Sequence, residues 1–428
     1  MKNKNIILIV SKTPVGRWAG DLSELKKNFK GKLKIAVLYA GPLTTKKQKE
    51  GLGLYDYAEQ VNFDSPASIT KALLPIKDNL LAITTRSESN IPILRKTLPF
   101  VPYLKTPTGA SLYWSTDKLE MRRRFKSYDK GITPKYMRVS DAKKETLRKV
   151  EKNIGFPLIV KPSGLALSLL VTKVHDREEL DKTLKTVFKK IKTLNKDFKE
   201  EEPRVMVEQF MEGTLYSIDA YVNSRGVVYF CPIVSVKTGI EAGFDDFFGY
   251  QQMTPTKLKK SSIENAHSVT EKSIHALGLR STTAHVELMR TEEGWKVIEV
   301  GPRIGGFRDH LYKLSYGIDH PVNDVLIRIP RKPKVPKKVL GHSATFKLFP
   351  RKSGVITTLK GVKKVKELKS FDSIVLRKKV GDRVYPASQG GRSVFEVTLF
   401  NKERPRLLAD IRKMEKMIEI QTVSRKAK

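Results

Sequence analysis

The sequence predicts a mixed fold, in which a parallel α/β domain is followed by a larger α+β region. Two observations lead to this class. Short apolar strands alternate with helical patterns in the first hundred residues, and the middle of the chain contains closely spaced strands suited to a largely antiparallel sheet. With 428 residues, the chain is long enough for two to four domains, each with its own apolar core.

The first domain is predicted to span residues 1–110. Its strands are predicted at residues 5–10, 34–38 and 79–84, and its helices at residues 21–29, 65–74 and 88–97. Ser65 is the expected N-cap of the second helix, because Pro66 suits the first helical position. No G-x-G-x-x-G follows the first strand and the chain contains no G-x-x-x-x-G-K-[ST], which argues against a nicotinamide dehydrogenase and a P-loop NTPase.

Residues 111–330 are predicted to form a second domain, with a small α+β lobe at about residues 132–203. Ser115 or Thr116 is expected to cap its first helix. Strands are predicted at residues 136–139, 157–161, 168–174, 204–207, 214–222, 227–236, 281–289 and 295–300, and helices from residue 141 and at residues 178–194 and 261–277. A basic, proline-containing linker at residues 328–338 leads into a closing basic domain, residues 331–428, which ends in a helix at residues 404–417.

Composition excludes several classes of protein. Apolar residues make up 39% of the chain and charged residues 30%, unlike a disordered chain, and no apolar run approaches the roughly 18 residues of a membrane span. The single cysteine, Cys231, excludes an internal disulfide framework or a cysteine zinc cage, and the seven histidines lack a metal-ligand spacing such as H-E-x-x-H. We therefore expect a cytoplasmic protein without an export signal and without a membrane as partner.

A net charge of +37 raises nucleic acid, a membrane surface or an anionic substrate as partners. The basic residues are spread along the chain, however, with local concentrations at residues 118–135, 182–199, 328–338 and 359–383 instead of one recognition helix. A generally basic, solvated surface is therefore favoured over a dedicated nucleic-acid site.

The segment with the most chemical information is AHVELMRTEEGWKVIEVGPRIGGF, residues 284–307, where two strand-like runs flank a turn. A hairpin centred on Glu293 places Glu287 directly opposite Glu299, with both side chains on one face and about 5 Å apart at Cβ. Two carboxylates at that spacing repel each other unless a cation lies between them, and Mg²⁺ accepts such oxygen ligands. The alternative is a solvent-facing acidic hairpin, but Glu299 lies within an apolar strand, which favours a ligand.

Arg303 follows directly, in a glycine-rich turn that contains Gly305 and Gly306. Its permanently charged, bidentate guanidinium is expected to neutralise a phosphate or a substrate carboxylate. The alternative is an ion pair to Glu287 or Glu299.

Together with motifs upstream, this hairpin resembles the metal-binding hairpin of the ATP-grasp superfamily, the fold of biotin carboxylase, carbamoyl phosphate synthetase and dipeptide ligases. Asp117-Lys118 resembles the start of the family's small lobe with its first phosphate lysine, and the segment IVKP, residues 159–162, resembles the strand with its second. The segment VEQFMEG, residues 207–213, resembles the hinge strand that holds adenine. The four motifs occur in the family's order over about residues 116–327, and the flanking domains resemble those of the amino-acid and carboxylate-amine ligase branch.

The resemblance implies ATP and Mg²⁺ as cofactors, with one or two metal ions and with Mn²⁺ as an alternative metal. It implies that Glu287 and Glu299 bind the metal, and that Arg303, Lys161 and Lys118 are catalytic. It implies nucleotide contacts from Lys118, Lys161, Ser168, Glu208, Met211 and Glu212. In this assignment the main chain or the carboxylate of Glu208 faces the purine amino group, and the amide of Met211 faces a ring nitrogen.

Three positions depart from the family's pattern. Gly301 stands where the family has a metal-binding asparagine, so one expected ligand is missing. The loop after the second lysine keeps only Gly164 and Ser168 of the usual glycine-rich phosphate cradle. Leu215 stands at the position of the ribose-binding glutamate, which leaves Glu212 as its replacement.

The family's chemistry implies an ATP-dependent ligase acting on a small-molecule carboxylate and an amine. The carboxylate attacks the γ-phosphorus of ATP, and the amine then displaces phosphate from the acyl phosphate to give an amide. Candidate general bases for the amine are Glu88, Glu241, Asp245, Asp246, His285 and His310. The acidic and aromatic segment 239–252 is either a clasp for a cationic amine or a surface loop, and Arg308 is a candidate partner for a substrate carboxylate.

Two alternatives to amide formation stay open. An ATP-dependent carboxylase, or another acyl-phosphate ligase, keeps the activation step but changes the acceptor. A basic nucleic-acid-binding protein on a degenerate ATP-grasp fold is less favoured, because the basic residues are not interleaved with a series of stacking aromatic residues. The oligomeric state is not fixed by the sequence, and a homodimer is one alternative.

Overall fold

The computed structural model describes residues 4–14, 19–29, 31–163, 170–194, 204–244 and 246–424. In these ranges the α-helices are α1 (Ala19–Asn28), α2 (Lys46–Gly51), α3 (Pro66–Leu73), α4 (Ile91–Thr97), α5 (Gly109–Trp114), α6 (Lys118–Tyr128), α7 (Lys144–Asn153), α8 (Arg177–Leu194), α9 (Lys260–Ala276), α10 (Arg308–Tyr316), α11 (His320–Arg328), α12 (Val362–Lys366) and α13 (Arg404–Met417).

The strands of the described ranges are β1 (Ile6–Ser11), β2 (Lys34–Tyr39), β3 (Tyr57–Gln60), β4 (Leu80–Thr84), β5 (Tyr136–Val139), β6 (Leu158–Pro162), β7 (Thr172–Val174), β8 (Val205–Gln209), β9 (Thr214–Val222), β10 (Val228–Phe230), β11 (Val234–Thr238), β12 (Gly249–Thr254), β13 (Thr282–Thr291), β14 (Gly294–Gly301), β15 (His342–Leu348), β16 (Gly354–Lys360), β17 (Phe371–Leu376), β18 (Arg383–Val384), β19 (Phe395–Asn401) and β20 (Glu419–Val423). The predicted nucleotide residue Ser168, the neighbouring Gly164 and the candidate base Asp245 lie outside the described residues.

The N-terminal part forms the predicted parallel sheet, with strand order β3-β2-β1-β4. Strand β3 was not predicted, because its four residues, YAEQ, are half-buried or exposed and carry no buried apolar run. The predicted cap of α3 is confirmed: the Ser65 side chain accepts a hydrogen bond from the Ser68 amide, and Pro66 opens the helix.

The small lobe is a four-stranded antiparallel sheet with strand order β5-β8-β6-β7. Its apolar core lies between this sheet and helices α7 and α8. The expected cap of the helix before the lobe was wrong, because α6 begins at Lys118 and its N-cap is Asp117, whose side chain accepts from the Glu120 amide. Residues 109–114 form the separate helix α5, which Thr108 caps.

The largest sheet has the strand order β14-β13-β9-β11-β12-β15-β19-β17, with β10 paired to β9. The predicted strand at residues 227–236 is two strands, β10 and β11, separated around Pro232. The last four residues of the segment 239–252, which was interpreted as a clasp or a surface loop, belong to strand β12, which pairs with β15. The large sheet therefore continues across the proposed domain boundary at residue 330, because strands from both sides of that boundary belong to it.

Two helices that follow the hairpin β13–β14, α10 and α11, were not predicted. Helix α11 is buried along its whole length and packs against β4 of the N-terminal sheet and against β9 and β13 of the large sheet. Its buried polar residues, His320, Asn323, Asp324 and Arg328, break the apolar pattern by which a helix is recognised. Helix α13, by contrast, has the predicted bounds and packs on β19.

Among the described residues, none of the helices has both the length and the apolar character needed to cross a membrane.

Candidate nucleotide and metal site

The hairpin β13–β14 brings the two predicted metal ligands together. Near its turn Leu288 pairs with Val297, whereas one step further Glu287 pairs with Glu299, so Ile298 is the extra residue of a β-bulge. The predicted pairing of Glu287 with Glu299 is confirmed, but the turn lies half a residue away from the expected centre. The bulge compensates for this difference and returns Glu299 to the face of Glu287.

The electrostatics of this pair favour a cation. Burial alone would raise the pKa of Glu287, but His285, Arg303 and Arg308 lower it to about 2. Burial and the carboxylates of Glu88 and Glu287 raise the pKa of Glu299, although Lys118 opposes the shift. One carboxylate is therefore held ionised beside a second whose ionisation is disfavoured, and a divalent cation between them would relieve that cost.

The donor set suits a hard cation that takes oxygen ligands. The described residues contain no cluster of three or more metal-binding side chains, so the hairpin offers two carboxylates to an ion. Gly301, at the position of the family's asparagine, pairs with His285 and has no side chain to add. Phosphate oxygens and water would have to complete the coordination of an ion held here.

Lys118 approaches the hairpin from the first turn of α6. Its Nζ lies 3.3 Å from Glu299 Oε1, and its side chain is 11% exposed. The Lys118 amide donates to Ser163 O at 3.0 Å, which fixes the start of α6 against the end of β6. Burial lowers the pKa of Lys118, but Glu299 and Glu88 reverse the effect and raise it, so the ammonium stays charged.

Lys161 lies on the neighbouring strand β6 and contacts the Glu208 carboxylate on β8. They meet because Ile159 is the cross-strand partner of Glu208, and Lys161 is two residues further along the same face. Burial lowers the pKa of Lys161 to about 8, against the effect of Glu208.

Arg122 is the second cation on Glu208, and no role was predicted for it from the sequence. Its Nε donates to Glu208 Oε2 at 2.9 Å, and its side chain is 1% exposed. Burial would raise the pKa of Glu208, but Arg122 and Lys161 lower it. The Glu208 carboxylate thus faces two protein cations, and contact of its carboxylate with a purine amino group stays a prediction.

Met211 and Glu212 follow β8 in the segment that connects the small lobe to β9. Met211 is half-buried and Glu212 is exposed. The Phe210 amide donates to Pro157 O at 3.2 Å, so the chain leaves the lobe sheet just before Met211. The nucleotide contacts assigned to both residues stay predictions.

Arg303 pairs with a residue of the N-terminal domain. Its Nη2 lies 2.6 Å from Glu88 Oε2, and its Nε donates to the same oxygen at 3.2 Å. The expected alternative partners were Glu287 and Glu299, whereas the observed one is Glu88, a candidate general base. This ion pair joins the segment after β4 of the parallel sheet to the segment that follows the hairpin β13–β14.

A buried network behind the hairpin was not predicted as such. Asp219 on β9 bonds His285 Nδ1 at 2.6 Å, His320 Nε2 at 2.7 Å and the Gly305 amide at 2.7 Å. A Cβ at Gly305 would overlap the His285 ring and the Asp219 carboxylate, so this close approach requires glycine. The one local signal for the network is a charged residue within the apolar strand TLYSIDAYV.

Other candidate groups have partners that shape the protein. Glu241 accepts from the Thr238 amide, and Asp246 accepts from the Phe248 amide and the Tyr250 hydroxyl. These carboxylates stabilise the loop, which argues against their use as a clasp for a cationic amine.

His310 and Arg308 are likewise engaged. His310 bonds Asp372 at 2.6 Å on the outer strand β17. The buried Arg308 donates to Ser217, to Gln252 and to Gly306 O, beside the glycine turn that follows the hairpin β13–β14.

Comparison with known proteins supports this description of the fold. Residues 154–309 match the ATP-grasp domain family. A D-alanine–D-alanine ligase of Phocaeicola vulgatus is 29% identical over 141 residues, which are 31% of this chain and 38% of the ligase. The matched segments span less than half the length of the curated relatives.

Solved structures resemble nearly the whole chain. The crystal structure of an L-amino acid ligase from Bacillus licheniformis has a TM-score of 0.76 at 18% identity, with 99% of this chain and 100% of that chain covered. The ADP complex of an N5-carboxyaminoimidazole ribonucleotide synthetase has a TM-score of 0.70 at 13% identity, with 96% of each chain covered. At these identities the likeness shows the fold alone.

The small lobe and the large sheet, whose edge carries the hairpin β13–β14, form an ATP-grasp fold. The match of residues 154–309 to the ATP-grasp domain family agrees with the resemblance that the sequence motifs indicated.

Proposed function

We propose that the protein is an ATP-dependent ligase that joins a carboxylate to an amine through an acyl phosphate, with release of ADP and phosphate. The observation that carries this proposal is the pairing of Glu287 with Glu299, with Lys118 in contact with Glu299. Lys161 and Arg303 provide further positive charge on either side. Two of the similar proteins are an L-amino acid ligase and a D-alanine–D-alanine ligase, and both names agree with the proposal.

The first step brings two anions together. A substrate carboxylate oxygen forms a bond to the γ-phosphorus of ATP, the bond to the β-γ bridging oxygen breaks, and ADP leaves. Mg²⁺ held by Glu287 and Glu299 would neutralise phosphate charge when bound. Lys118 and Lys161 would direct their ammonium groups toward the phosphates, and Arg303, paired with Glu88, would add positive charge beside the approaching carboxylate.

The second step forms the amide. The amine attacks the acyl carbonyl, the carbon–oxygen bond to phosphate breaks, and the amine loses a proton. Glu88 is the candidate base at this point, because its carboxylate is held beside the reaction site by Arg303. The pKa of Glu88 would be raised by burial but is lowered by Arg303 and Lys118, so it is ionised and able to accept a proton.

One experiment tests the proposal. Purified protein with Mg²⁺, ATP and a pool of amino acids is expected to release phosphate and to form an amide that mass spectrometry detects. Glu299→Ala is expected to abolish both, whereas Glu293→Ala, an exposed residue of the same hairpin, should leave both unchanged. Phosphate release that survives Glu299→Ala would reject the metal assignment.

The identity of the product distinguishes the amide ligase from the carboxylase alternative. A carboxylated amine formed from bicarbonate would replace the amide ligase with the carboxylase alternative. We further propose a cytoplasmic location and small-molecule substrates, with Mn²⁺ able to replace Mg²⁺ and a homodimer as a candidate assembly.

A further inference from the structure

We infer that Arg122 is a positioning residue that couples the metal hairpin to the lobe strand carrying Lys161. This inference rests on one part of the proposed function, the binding of a magnesium nucleotide. It does not depend on which acid or amine is joined.

Arg122 lies one helical turn after Lys118 on α6, so both side chains are on one face of that helix. Its guanidinium bonds two different structural elements. Nε donates to Glu208 Oε2 at 2.9 Å on the small lobe, and Nη2 donates to Ile298 O at 2.8 Å on the metal hairpin. A single planar group thus joins the small lobe to the hairpin.

The carbonyl of Ile298, to which Arg122 donates, belongs to the β-bulge that sets the register of the hairpin. Without an extra residue at Ile298, the strand would shift by one position, and Glu299 would point to the opposite face from Glu287. A bulge leaves backbone groups outside the ladder, and a buried carbonyl without a donor is costly. Arg122 supplies that donor and so stabilises the conformation that pairs the two carboxylates.

The hydrogen bond from Arg122 to Glu208 affects Lys161, the lysine of the small lobe. Glu208 is buried between Lys161 and Arg122. Because Arg122 provides one of the two positive charges, Lys161 is not the sole counter-charge of Glu208 and keeps capacity for a phosphate. If Arg122 is lost, Lys161 becomes the only cation that contacts Glu208 among the described residues, and it should pair with this carboxylate more strongly.

The geometry requires arginine at this position. A lysine ammonium keeps the charge but lacks the rigid fork that reaches a carboxylate and a carbonyl in two directions. The third nitrogen, Nη1, is buried and has no hydrogen-bond partner among the described residues.

Arg328 offers a matched control. It is equally buried and also bonds one carboxylate and one carbonyl, Asp324 at 3.1 Å and Ser281 O at 3.2 Å, but these lie on α11 and before β13. If the role of Arg122 is purely structural, replacing either arginine with lysine should lower the stability of the protein and leave nucleotide binding unchanged.

The test is calorimetric binding of ADP as a function of Mg²⁺ concentration, combined with thermal unfolding, for the full chain. Arg122→Lys is expected to raise the Kd for MgADP about tenfold and to raise the Mg²⁺ concentration needed for half-maximal binding. Arg328→Lys is expected to lower the melting temperature but to leave both binding quantities within about twofold of the wild type. Arg122→Gln, which removes the charge, provides the second variant if Arg122→Lys does not fold.

Wild-type MgADP affinity and Mg²⁺ dependence in the folded Arg122 variants would overturn the inference. So would an equal loss of affinity in Arg328→Lys, and so would a wild-type protein that does not bind MgADP. If the wild type binds MgADP and Arg122→Lys weakens it selectively, while no acid and amine are ever joined, the inference stands and the proposed ligase activity fails.

Discussion

Glu208 and Asp324 are both fully buried carboxylates, and arginine pairs with each of them. Their surroundings differ. Glu208 receives Arg122 from α6 and Lys161 from β6, whereas Asp324 receives Arg328 from its own helix, four residues away. Burial and charge pairing alone therefore do not distinguish the Glu208 cluster from the Asp324 cluster. What distinguishes them is their position relative to the hairpin β13–β14.

The contacts that complete each cluster make the same distinction. Asp324 also accepts from the hydroxyls of Thr84 and Thr283, so the carboxylate joins the N-terminal sheet to the large sheet. Arg86, whose Nη1 lies 3.6 Å from Asp324, adds a further charge at this junction. The Asp324 cluster therefore holds two domains together, and the Glu208 cluster holds a lysine beside the proposed nucleotide.

The largest effect on stability is expected from Asp324→Ala. It leaves two buried arginines without their carboxylate, and such a loss costs about 3–5 kcal/mol. Burial would raise the pKa of Asp324, but Arg328 and Arg86 hold it well below its usual range. This carboxylate therefore stabilises the fold fully above about pH 4, and the stabilisation falls as the pH drops below that value.

Urea unfolding between pH 7 and pH 3 measures both parts of this prediction. The wild type should lose part of its free energy of unfolding below about pH 4, and the variant should lose less over the same interval. A variant as stable as the wild type at pH 7 would show that the junction does not depend on Asp324.

Lys161→Met is expected to act on turnover instead of stability. Removing one charge that stabilises the phosphoryl transition state should lower the rate of phosphate release by about 10²–10³. Glu208 keeps Arg122 as its partner, so the free energy of unfolding should change far less than in Asp324→Ala. A rate within about threefold of the wild type would remove Lys161 from the proposed mechanism.

Sequence reasoning predicted the parts of the site that depend on local order. The pairing of Glu287 with Glu299 follows from the distance of each from one turn, and Lys118 and Lys161 stand in motifs of adjacent residues. Other residues of the site could not be predicted, because their partners are remote in the chain. Arg122 meets Ile298 across 176 positions, and no local pattern marks such a contact.

The fold shows the same division. Strand bounds in β9 and helix bounds in α13 were predicted closely, because each has a regular apolar pattern. Helix α11 was missed, because its polar residues are buried by partners from other elements, such as Thr84 for Asp324. The bulge at Ile298 was also missed, since a hairpin of equal strands accounts for the same pairing from a different turn centre.

Thr84→Val should have an intermediate effect on stability and none on binding. The Thr84 hydroxyl donates to Asp324 at 2.8 Å, and loss of a bond to a charged group costs about 1.5–3 kcal/mol. Thr85→Val is the control, because its buried hydroxyl donates to the neutral carbonyl of Val10 and should cost about 0.5–1.5 kcal/mol. Equal losses in the two variants, measured by urea unfolding, would mean that the charge of Asp324 adds nothing to this contact.

The smallest predicted effect is a pH dependence of nucleotide binding through Lys161, whose pKa burial lowers to about 8. Glu208 opposes this shift, and the cations Arg122 and Lys118 add to it. In the free protein the ammonium therefore loses its proton as the pH rises through about 8, whereas bound phosphate favours the charged form. The Kd for MgADP should rise about tenfold between pH 7.5 and pH 9 in calorimetry. Lys161→Arg should bind with little pH dependence, because its guanidinium stays protonated throughout. A flat profile in the wild type would mean that Lys161 does not face the phosphates, and the Glu208 cluster would then be as structural as the Asp324 cluster.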